Sequence, residues 1–419
     1  MAASDKTGTT ASRTGDVTRE FYNRSSSNSN DSAWFHGWFQ LATHEPFEAV
    51  DFLMSEIVHK GRCIGCAACV QVCPVNVFDY VGDKPVDSRH AGCVYCGLCA
   101  TVCPPAHLGG SSDELTRFVI KGSDLKDEGF GKCRTAVLAR TNQEHILSKA
   151  QDGGISSAIV IQALESGMID GVILGDTVES EPLNPIPRLA TTKEEILHCA
   201  GSRYTYSPNT TAIREAFDRN LRVAVVGVPC QINGLRHIQY GPSEGFDFTS
   251  WFRKNVIFSV GLFCSEVFTY EGLLDLSKRI NVSLEDIVNI NVKGRIVSKT
   301  KDGRTIISSL KNMRKYMRPA CNYCWDYSAE LADISLGGIG QDGWTFTVTR
   351  TPTGQALFDK LVDKNLIEIK EIGDTNKDSA GQSAEESSSK AKELLIKLSA
   401  QKRSRPRSFE KKAIEEASH

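Results

Sequence analysis

The feature that most constrains this sequence is a cysteine pattern that occurs twice near the N-terminus. CIGCAACVQVCP, from Cys63 to Pro74, and CVYCGLCATVCP, from Cys93 to Pro104, share the spacing C-x2-C-x2-C-x3-C-P. In such runs three closely spaced thiolates bind one iron–sulfur cluster and the fourth binds the other. The spacing therefore predicts two [4Fe-4S] clusters, held by Cys63, Cys66, Cys69 and Cys103 and by Cys93, Cys96, Cys99 and Cys73.

A pair of zinc sites is the alternative for so many cysteines. Structural zinc motifs usually separate their cysteine pairs by longer loops, which makes zinc the weaker interpretation. Residues 57–110 resemble the two-cluster ferredoxin domain, and this resemblance implies a small α+β fold. Such a domain passes one electron at a time and has no substrate of its own, so the rest of the chain must supply one.

Composition excludes several other classes of protein. The net charge of −2 gives no broad basic surface for nucleic acid. No apolar run approaches the roughly 20 residues of a membrane helix, and the N-terminus lacks the apolar core of a signal peptide. We therefore expect a cytoplasmic protein without a membrane span. The 14 cysteines are then expected to bind metal rather than to form disulfides.

Residues 111–372 contain four short apolar runs that are typical of buried strands. They are RTAVLAR (134–140), GVILGD (171–176), RVAVVGVP (222–229) and VIFSVGLF (256–263). Helical patterns lie between them, one of which begins with a capping box of Thr192 and Glu195. This alternation predicts an α/β domain with a mainly parallel sheet and flanking helices. Paired strands are predicted around the KDGR turn at 301–304.

Six further cysteines follow the ferredoxin-like segment. Cys230 and Cys264 each follow a predicted strand, and Cys321 and Cys324 form a C-x2-C pair. These four fit a third thiolate site, but buried structural cysteines are an equally good interpretation of the spacing alone. For Cys133 and Cys199 we favour the structural interpretation.

Three glycine-rich stretches precede or follow predicted elements. They are QDGGISSA (151–158), CAGSRYTYSPN (199–209) and SLGGIGQDGW (335–344). Backbone N–H groups at a helix start favour a phosphate, so these stretches indicate a cofactor that carries phosphate. None has the spacing G-x-G-x-x-G, and a Rossmann dinucleotide site is therefore not predicted.

Residues 57 to about 372 resemble the family of coenzyme F420 hydrogenase/dehydrogenase beta subunits with an N-terminal ferredoxin extension. The resemblance rests on QDGGISSAIVIQAL, AGSRYTYSPN, VGVPCQINGLR, GLFCSEVF, CNYCWDYSAELADISLGGIG and DGWTFTVTRT. It implies non-covalent FAD and a third [4Fe-4S] cluster on Cys230, Cys264, Cys321 and Cys324. It also implies FAD contacts from Asp152, Gly153, Gly154, Ser157, Gly201, Ser202, Arg203, Tyr204 and Pro229.

The resemblance further implies an activity, which is closest to that of the input subunit of archaeal F420H2 dehydrogenase. Reduced coenzyme F420 would deliver a hydride to FAD, and electrons would pass singly through three clusters to a complex-I-like membrane partner. The alternatives are an F420-reducing hydrogenase subunit or other soluble complex, a non-catalytic iron–sulfur relay, and a relative that reduces another conjugated substrate. We expect no catalytic side chain, and a scaffold role for Asp326 and Asp333. Basic candidates for the F420 site are Lys293, Arg295, Arg314, Lys315 and Arg318.

These patterns divide the chain into five segments. A disordered N-terminal segment (1–32) precedes an aromatic amphipathic extension (33–56), which packs on the ferredoxin domain or docks on a partner through Trp34, Phe35, Trp38 and Phe39. The two-cluster domain (57–110) and the flavin and [4Fe-4S] domain (111–372) follow. A flexible charged tail with a short helix (373–419) is expected to be solvated.

Overall fold

The structure is a computed structural model that describes residues 48–107, 112–122, 125–241, 246–339, 341–371 and 384–405. The predictions for residues 1–32 and for the aromatic residues 34–39 lie outside this part of the chain.

The N-terminal part is built around its cysteines. Its elements in chain order are helix α1 (Ala49–Phe52), a π-helical turn (Leu53–Val58), helix α2 (Ala68–Val72), the hairpin strands β1 (Phe78–Val81) and β2 (Lys84–Asp87), and helix α3 (Leu98–Thr101). Ala67 and Gly97, at matching positions in the two motifs, start α2 and α3 with positive φ angles of 57° and 72°. Leu53, Ile57 and Phe78 pack directly against the cysteine side chains. Because so much of this core is cysteine, its packing depends on what the sulfurs bind.

The larger part follows after helix α4 (Ser112–Val119) and a short hairpin of β3 (Lys126–Asp127) and β4 (Lys132–Cys133). Its remaining elements in chain order are β5 (Thr135–Thr141), α5 (Glu144–Leu147), α6 (Ile155–Glu165), β6 (Gly171–Val178), β7 (Glu181–Ala190), α7 (Lys193–His198), α8 (Ile213–Asp218), β8 (Val223–Gly227), α9 (Pro229–Tyr240), α10 (Asp247–Asn255), β9 (Val256–Leu262), α11 (Tyr270–Ile280), β10 (Ile287–Val292), β11 (Ile296–Thr300), β12 (Thr305–Ser308), β13 (Ile334–Gly337), β14 (Thr345–Thr349), α12 (Pro352–Asp363), β15 (Ile367–Glu371) and α13 (Ala384–Arg403).

The main sheet has eight strands in the order β15-β5-β14-β13-β9-β8-β6-β7. Only the β13–β9, β9–β8 and β8–β6 pairs are parallel, and the other four pairs are antiparallel. The prediction of a mainly parallel sheet is therefore wrong, and the sheet is mixed. The four predicted strands do all run in one direction, but β14 separates β5 from the others. The reversed strands β7, β14 and β15 were not identified in the sequence.

Local predictions in this part are confirmed. The four predicted strands correspond to β5, β6, β8 and β9. The hydroxyl of Thr192 accepts a hydrogen bond from the N–H of Glu195, whose carboxylate accepts one from the N–H of Thr192, which completes the predicted capping box. The segment around the 301–304 turn forms a separate antiparallel sheet of β10, β11 and β12.

The end of the chain differs from its prediction. In place of a short solvated helix, α13 extends over 20 residues, and Ala391 and Leu395 are fully buried against the core that contains Phe130 and Phe346. Its apolar positions recur at helical spacing, which explains why it packs as one face rather than remaining in solvent. Among the described residues, no helix combines the length and apolarity that crossing a bilayer requires.

Candidate redox site

Twelve of the 14 cysteines converge in three groups. The groups, within which the thiols lie close enough to influence one another's ionisation, are Cys63, Cys66, Cys69 and Cys103; Cys73, Cys93, Cys96 and Cys99; and Cys230, Cys264, Cys321 and Cys324. In both N-terminal groups the cysteine before the proline comes from the other motif, as the spacing predicts. All 14 cysteines are described, and none forms a disulfide.

Burial makes several of these thiols hard to ionise without a cation. It raises the pKa of Cys66 to about 12 and that of Cys264 to about 12, since a thiolate in apolar surroundings loses its hydration. Burial and the neighbouring thiols together raise the pKa of Cys69 well above its usual value. Such thiols are poor nucleophiles, and they lose their protons when a metal centre takes the proton's place. The donor set therefore fits iron–sulfur clusters.

The spacing of the sulfurs is wider than a single zinc ion requires. Tetrahedral zinc with Zn–S distances of about 2.3 Å places its sulfurs roughly 3.8 Å apart. Within the described ranges, no three cysteine sulfurs lie within 4.8 Å of one another. The wider spacing argues against a mononuclear zinc site and suits a cluster of several metal atoms.

The third group is assembled from three separate elements. Cys230 lies in the first turn of α9, where the helix dipole favours negative charge. Cys264 follows β9, and its N–H donates to the carbonyl of Tyr327 at 2.9 Å. Cys321 and Cys324 lie in and just after the short helix Pro319–Tyr323. Elements this far apart in sequence meet because β9 and β13 are neighbours in the sheet.

A cavity of about 330 Å³ lies beside this third group. It is bounded by the start of α6, the loop 199–207, the ends of β8 and β9, and strand β10. The loops at the carboxyl ends of parallel strands are a common place for ligands in α/β folds. Cys264 itself lines the cavity, so the cavity and the third cysteine group share a wall.

Seven of the nine predicted cofactor contacts line the cavity, namely Asp152, Gly154, Ser157, Gly201, Ser202, Arg203 and Tyr204. Gly153 does not, because it faces the sheet and its N–H donates to the hydroxyl of Thr345 at 3.0 Å. A side chain there would collide with the carbonyl of Ala139. Pro229 also lies outside the lining, since it begins α9 while Val228 faces the cavity.

Two features of the cavity suit a phosphate. Helix α6 begins there at Gly154, which has a φ of 74° and makes no side-chain cap hydrogen bond, so the first N–H groups of the helix are available. Arg203 donates from Nη1 to the carbonyls of Cys199, Ala200 and Gly201 at 2.6, 3.0 and 2.6 Å. These bonds fix the loop. Within the described part of the chain, they leave Nε and Nη2 of Arg203 for an anion.

The small sheet covers one side of the cavity, although the sequence predicted only Lys293 and Arg295 of this region as site candidates. Asn289 donates to the side chain of Gln151 at 2.9 Å, and the N–H of Val292 donates to the hydroxyl of Tyr204 at 3.2 Å. The Nζ of Lys293 donates a hydrogen bond to the Oδ1 of Asp152 at 3.2 Å. Burial raises the pKa of Asp152 although this lysine opposes the effect. The prediction of paired strands around the KDGR turn did not place them at the cavity.

Other residues line the cavity that were not predicted as cofactor contacts. Cys199 lines the cavity, and burial, with Asp176 nearby, raises its pKa to about 12. Gly338, in the third glycine-rich stretch, also lines it, and a side chain there would collide with the carboxylate of Asp152. A glycine is therefore needed for this close approach, and the stretch 335–344 that contains it is one of the three that predicted a cofactor with phosphate.

The five basic candidates occupy different places. Lys293 lies beside the cavity, where its Nζ contacts the lining residue Asp152. Arg295 is exposed, and Arg314 and Lys315 are exposed beside Glu266 and Asp275. Arg318 instead joins the two parts of the chain, as described below. The scaffold role expected for Asp333 agrees with its contacts, since it accepts from the N–H of Ser259 at 2.7 Å and from Arg236 at 2.8 Å. Asp326 accepts from the N–H of Glu330 at 3.0 Å.

Arg318 lies between the third and the first cysteine groups. It donates to the carbonyls of Ile64 and Asp83 at 3.3 and 2.9 Å, and its guanidinium lies 3.9 Å from the ring centroid of Tyr206. The hydroxyl of Tyr206 donates to the carbonyl of Gly65 at 2.7 Å. Polar contacts thus fix the N-terminal part against the cavity part and place their cysteine groups side by side.

Comparisons with known proteins agree with this arrangement. Residues 62–106 match the 4Fe-4S dicluster domain, residues 136–214 match the N-terminal domain of the coenzyme F420 hydrogenase/dehydrogenase beta subunit, and residues 220–375 match its C terminus. The chain is 37% identical over 250 residues to the beta subunit of coenzyme F420 hydrogenase of Methanococcus voltae, and the match covers 58% of this chain and 87% of that protein.

Two further relatives are named after two different protein complexes, a dehydrogenase and a hydrogenase. A subunit of the F420H2 dehydrogenase of Methanosarcina mazei is 29% identical over 319 residues, covering 74% of this chain and 85% of that relative. A chain in a solved structure of the F420-reducing [NiFe] hydrogenase complex from Methanosarcina barkeri superimposes with a TM-score of 0.59 at 35% identity. That match covers 70% of this chain and 94% of the other.

Proposed function

The chain belongs to the family of coenzyme F420 hydrogenase/dehydrogenase beta subunits, and from that premise we propose that it oxidises reduced coenzyme F420. In this proposal a hydride passes to FAD, and electrons leave singly through three [4Fe-4S] clusters to a partner. FAD suits this role because a flavin accepts a hydride and releases electrons one at a time.

The observation that carries the proposal is the position of Cys264. It lines the cavity and belongs to the third cysteine group. A redox cofactor in the cavity would therefore lie next to a one-electron centre held by Cys230, Cys264, Cys321 and Cys324. Arg318 brings the first cysteine group next to the third, which supports a continuous route into the N-terminal domain.

The residues of the cavity have separate tasks in this proposal. The start of α6 and Arg203 would bind the phosphates of FAD, and Tyr204 would orient the bound FAD beside Cys264. Lys293 would contribute positive charge for the phosphate and carboxylates of coenzyme F420. Because five of the twelve cysteines in the three groups are buried and the other seven are only partly exposed, water would have limited access to the iron.

The second cysteine group is the proposed exit. Its loop includes Val94 and Tyr95, which are 44% and 51% exposed. A partner that covers this loop would receive electrons from the cluster of the second group. The name of the Methanosarcina mazei relative favours a dehydrogenase complex as that partner, and we propose a complex-I-like membrane assembly, which the chain would join peripherally.

The reverse direction is the second candidate function. Two of the relatives above carry the name of an F420 hydrogenase or F420-reducing hydrogenase complex, and a subunit of that kind would reduce coenzyme F420. The cavity and the cysteine groups serve both directions equally, because each step is reversible. Turnover in both directions with dyes of different potential distinguishes the preferred one.

The test uses full-length protein purified without oxygen. We expect about twelve irons, four for each cluster, and one FAD per chain. On mixing with reduced coenzyme F420 and a one-electron dye, the absorbance of oxidised F420 should return with catalytic turnover. Iron for two clusters, no flavin and no turnover would instead identify a non-catalytic relay on this fold.

A further inference from the structure

Helix α13 lies outside the residues that match the family, which end at residue 375. It is nevertheless fixed to the domain. Leu395 is fully buried, and Ile396 lies over Gly129, where an added side chain would approach it to 3.2 Å. Arg403 donates to Glu330 at 2.8 Å and to Asp127 at 3.4 Å. The end of this helix therefore has one defined position.

That position is directly over the third cysteine group. Lys402 is only 3% exposed, and its Nζ donates to the Sγ of Cys324 at 3.1 Å. Its charge also acts on Cys264 and Cys321. Arg405 donates to the carbonyl of Cys321. The last turn of α13 thus contacts the third group at Cys321 and Cys324.

A buried ammonium requires negative charge beside it. Removing it from water costs several kcal/mol, which only close anionic partners offset. Around Lys402 these partners would be the thiolates that the cysteines of the third group present when they bind a cluster, with Asp326 as a further acidic neighbour. A cluster bound by four thiolates is an anion, and its reduction adds one more negative charge. The interaction with Lys402 is therefore stronger in the reduced state than in the oxidised state.

We propose that Lys402 is a positioning residue that raises the reduction potential of the third iron–sulfur site, with α13 as the structure that holds its charge in place. The inference rests on the proposed function, because it takes Cys230, Cys264, Cys321 and Cys324 as cluster ligands. Lys402 keeps its proton throughout, and one electron enters the cluster without any bond being formed or broken. A higher potential would make the site next to the cavity accept the first electron.

The test compares Lys402→Gln and Lys402→Met with Lys402→Arg, which keeps the charge. Lys397→Gln is the matched control, because Lys397 is exposed on the same helix. Reduction of each cluster is followed by electron paramagnetic resonance during a potentiometric titration of the full-length protein. We expect the neutral variants to shift the reduction equilibrium of the third site at least about tenfold towards the oxidised form. For a one-electron couple this equals about 59 mV.

The two N-terminal sites should keep their potentials in every variant, and Lys402→Arg and Lys397→Gln should resemble the wild type. Unchanged potentials in a neutral variant with full iron content would overturn the inference. Loss of the third site's iron from both neutral variants, but not from Lys402→Arg, would also overturn it, since the charge would then retain the cluster rather than tune it. A failure of the proposed function would look different, because the wild type itself would then lack FAD or the iron of the third site.

Discussion

At the scale of single residues, the joint between the two parts of the chain depends on Arg318. Replacing it with methionine removes two hydrogen bonds from a charged donor and the contact with Tyr206. Hydrogen bonds to charged groups contribute about 1.5–3 kcal/mol each, so we expect Arg318→Met to lower the free energy of unfolding by about 3 kcal/mol. Urea unfolding followed by cluster absorbance measures this change.

Arg314→Met is the matched control for this prediction. Arg314 is 64% exposed and its closest acidic atom, on Glu266, is 3.6 Å away, so its removal should cost less than about 1 kcal/mol. An equal loss of stability in both variants would show that the joint does not depend on Arg318.

His90 provides a pH-dependent contact beside the second cysteine group. Its Nδ1 lies 2.8 Å from Asp87 and 3.8 Å from Asp51 of α1. The hydrogen bond with Asp87 raises the pKa of His90 above its ordinary value of 6.5. A raised folded-state pKa stabilises the fold fully below pH 6.5, and this stabilisation disappears as the pH rises through the raised pKa.

We therefore expect His90→Gln to lower the melting temperature at pH 6 more than at pH 8.5. Thermal unfolding of both proteins across this range measures the difference, and Asp87→Asn should remove the same pH dependence. A difference that stays constant between pH 6 and pH 8.5 would contradict the assignment of the effect to the protonated imidazole.

At the scale of elements, helix α9 determines how closely the two parts approach. A Cβ at Gly234 would lie 2.7 Å from both Cβ and Sγ of Cys66, which is closer than real Cβ contacts. Because α9 carries Cys230 one turn earlier, it cannot shift without moving the third group. Gly234 therefore permits contact between two cysteine groups that belong to different parts of the chain.

We expect Gly234→Ala to displace Cys66 and lower the iron bound by the first group, with an N-terminal cluster signal reduced at least twofold. Iron analysis and electron paramagnetic resonance measure this. Gly92→Ala is the control, because a Cβ at Gly92 meets nothing within 4 Å. Full iron content in Gly234→Ala would mean that the helix can yield at this contact.

At the scale of the whole molecule, the proposed electron route from the cavity to the surface passes through the third group. We expect Cys264→Ala to lower the iron content by about four atoms per chain while reduced coenzyme F420 still bleaches the flavin absorbance. Reduction of the two N-terminal sites should slow at least about 100-fold, because the centre between them and the cavity is lost. Rapid mixing with freeze-quenching measures both processes.

Cys133→Ala is the control for this prediction, since Cys133 belongs to none of the three groups. Its iron content and reduction rates should equal those of the wild type. Unchanged reduction of the N-terminal sites in Cys264→Ala would show that electrons reach them by a route that bypasses the third group.

The sequence by itself determined what depends on short spacing along the chain. The spacing within each of the two cysteine motifs, the strand at 222–229 and the capping box of Thr192 and Glu195 are all set by residues a few positions apart. Local spacing fixes which atoms can reach one another before any tertiary contact forms. For the same reason the glycines before α6 predicted a phosphate site, whereas the other walls of the cavity could not be predicted from local spacing.

Only the tertiary structure decided what joins distant parts of the chain. Lys402 meets Cys324 across 78 positions, and Arg318 meets Asp83 across 235, and no local pattern encodes such a pair. The reversed strand β14, which enters the sheet between β5 and β13, is decided in the same way. Strand order and buried charges depend on the packing of the whole core, because a strand or an ammonium is stable only where its neighbours satisfy its hydrogen bonds and charge.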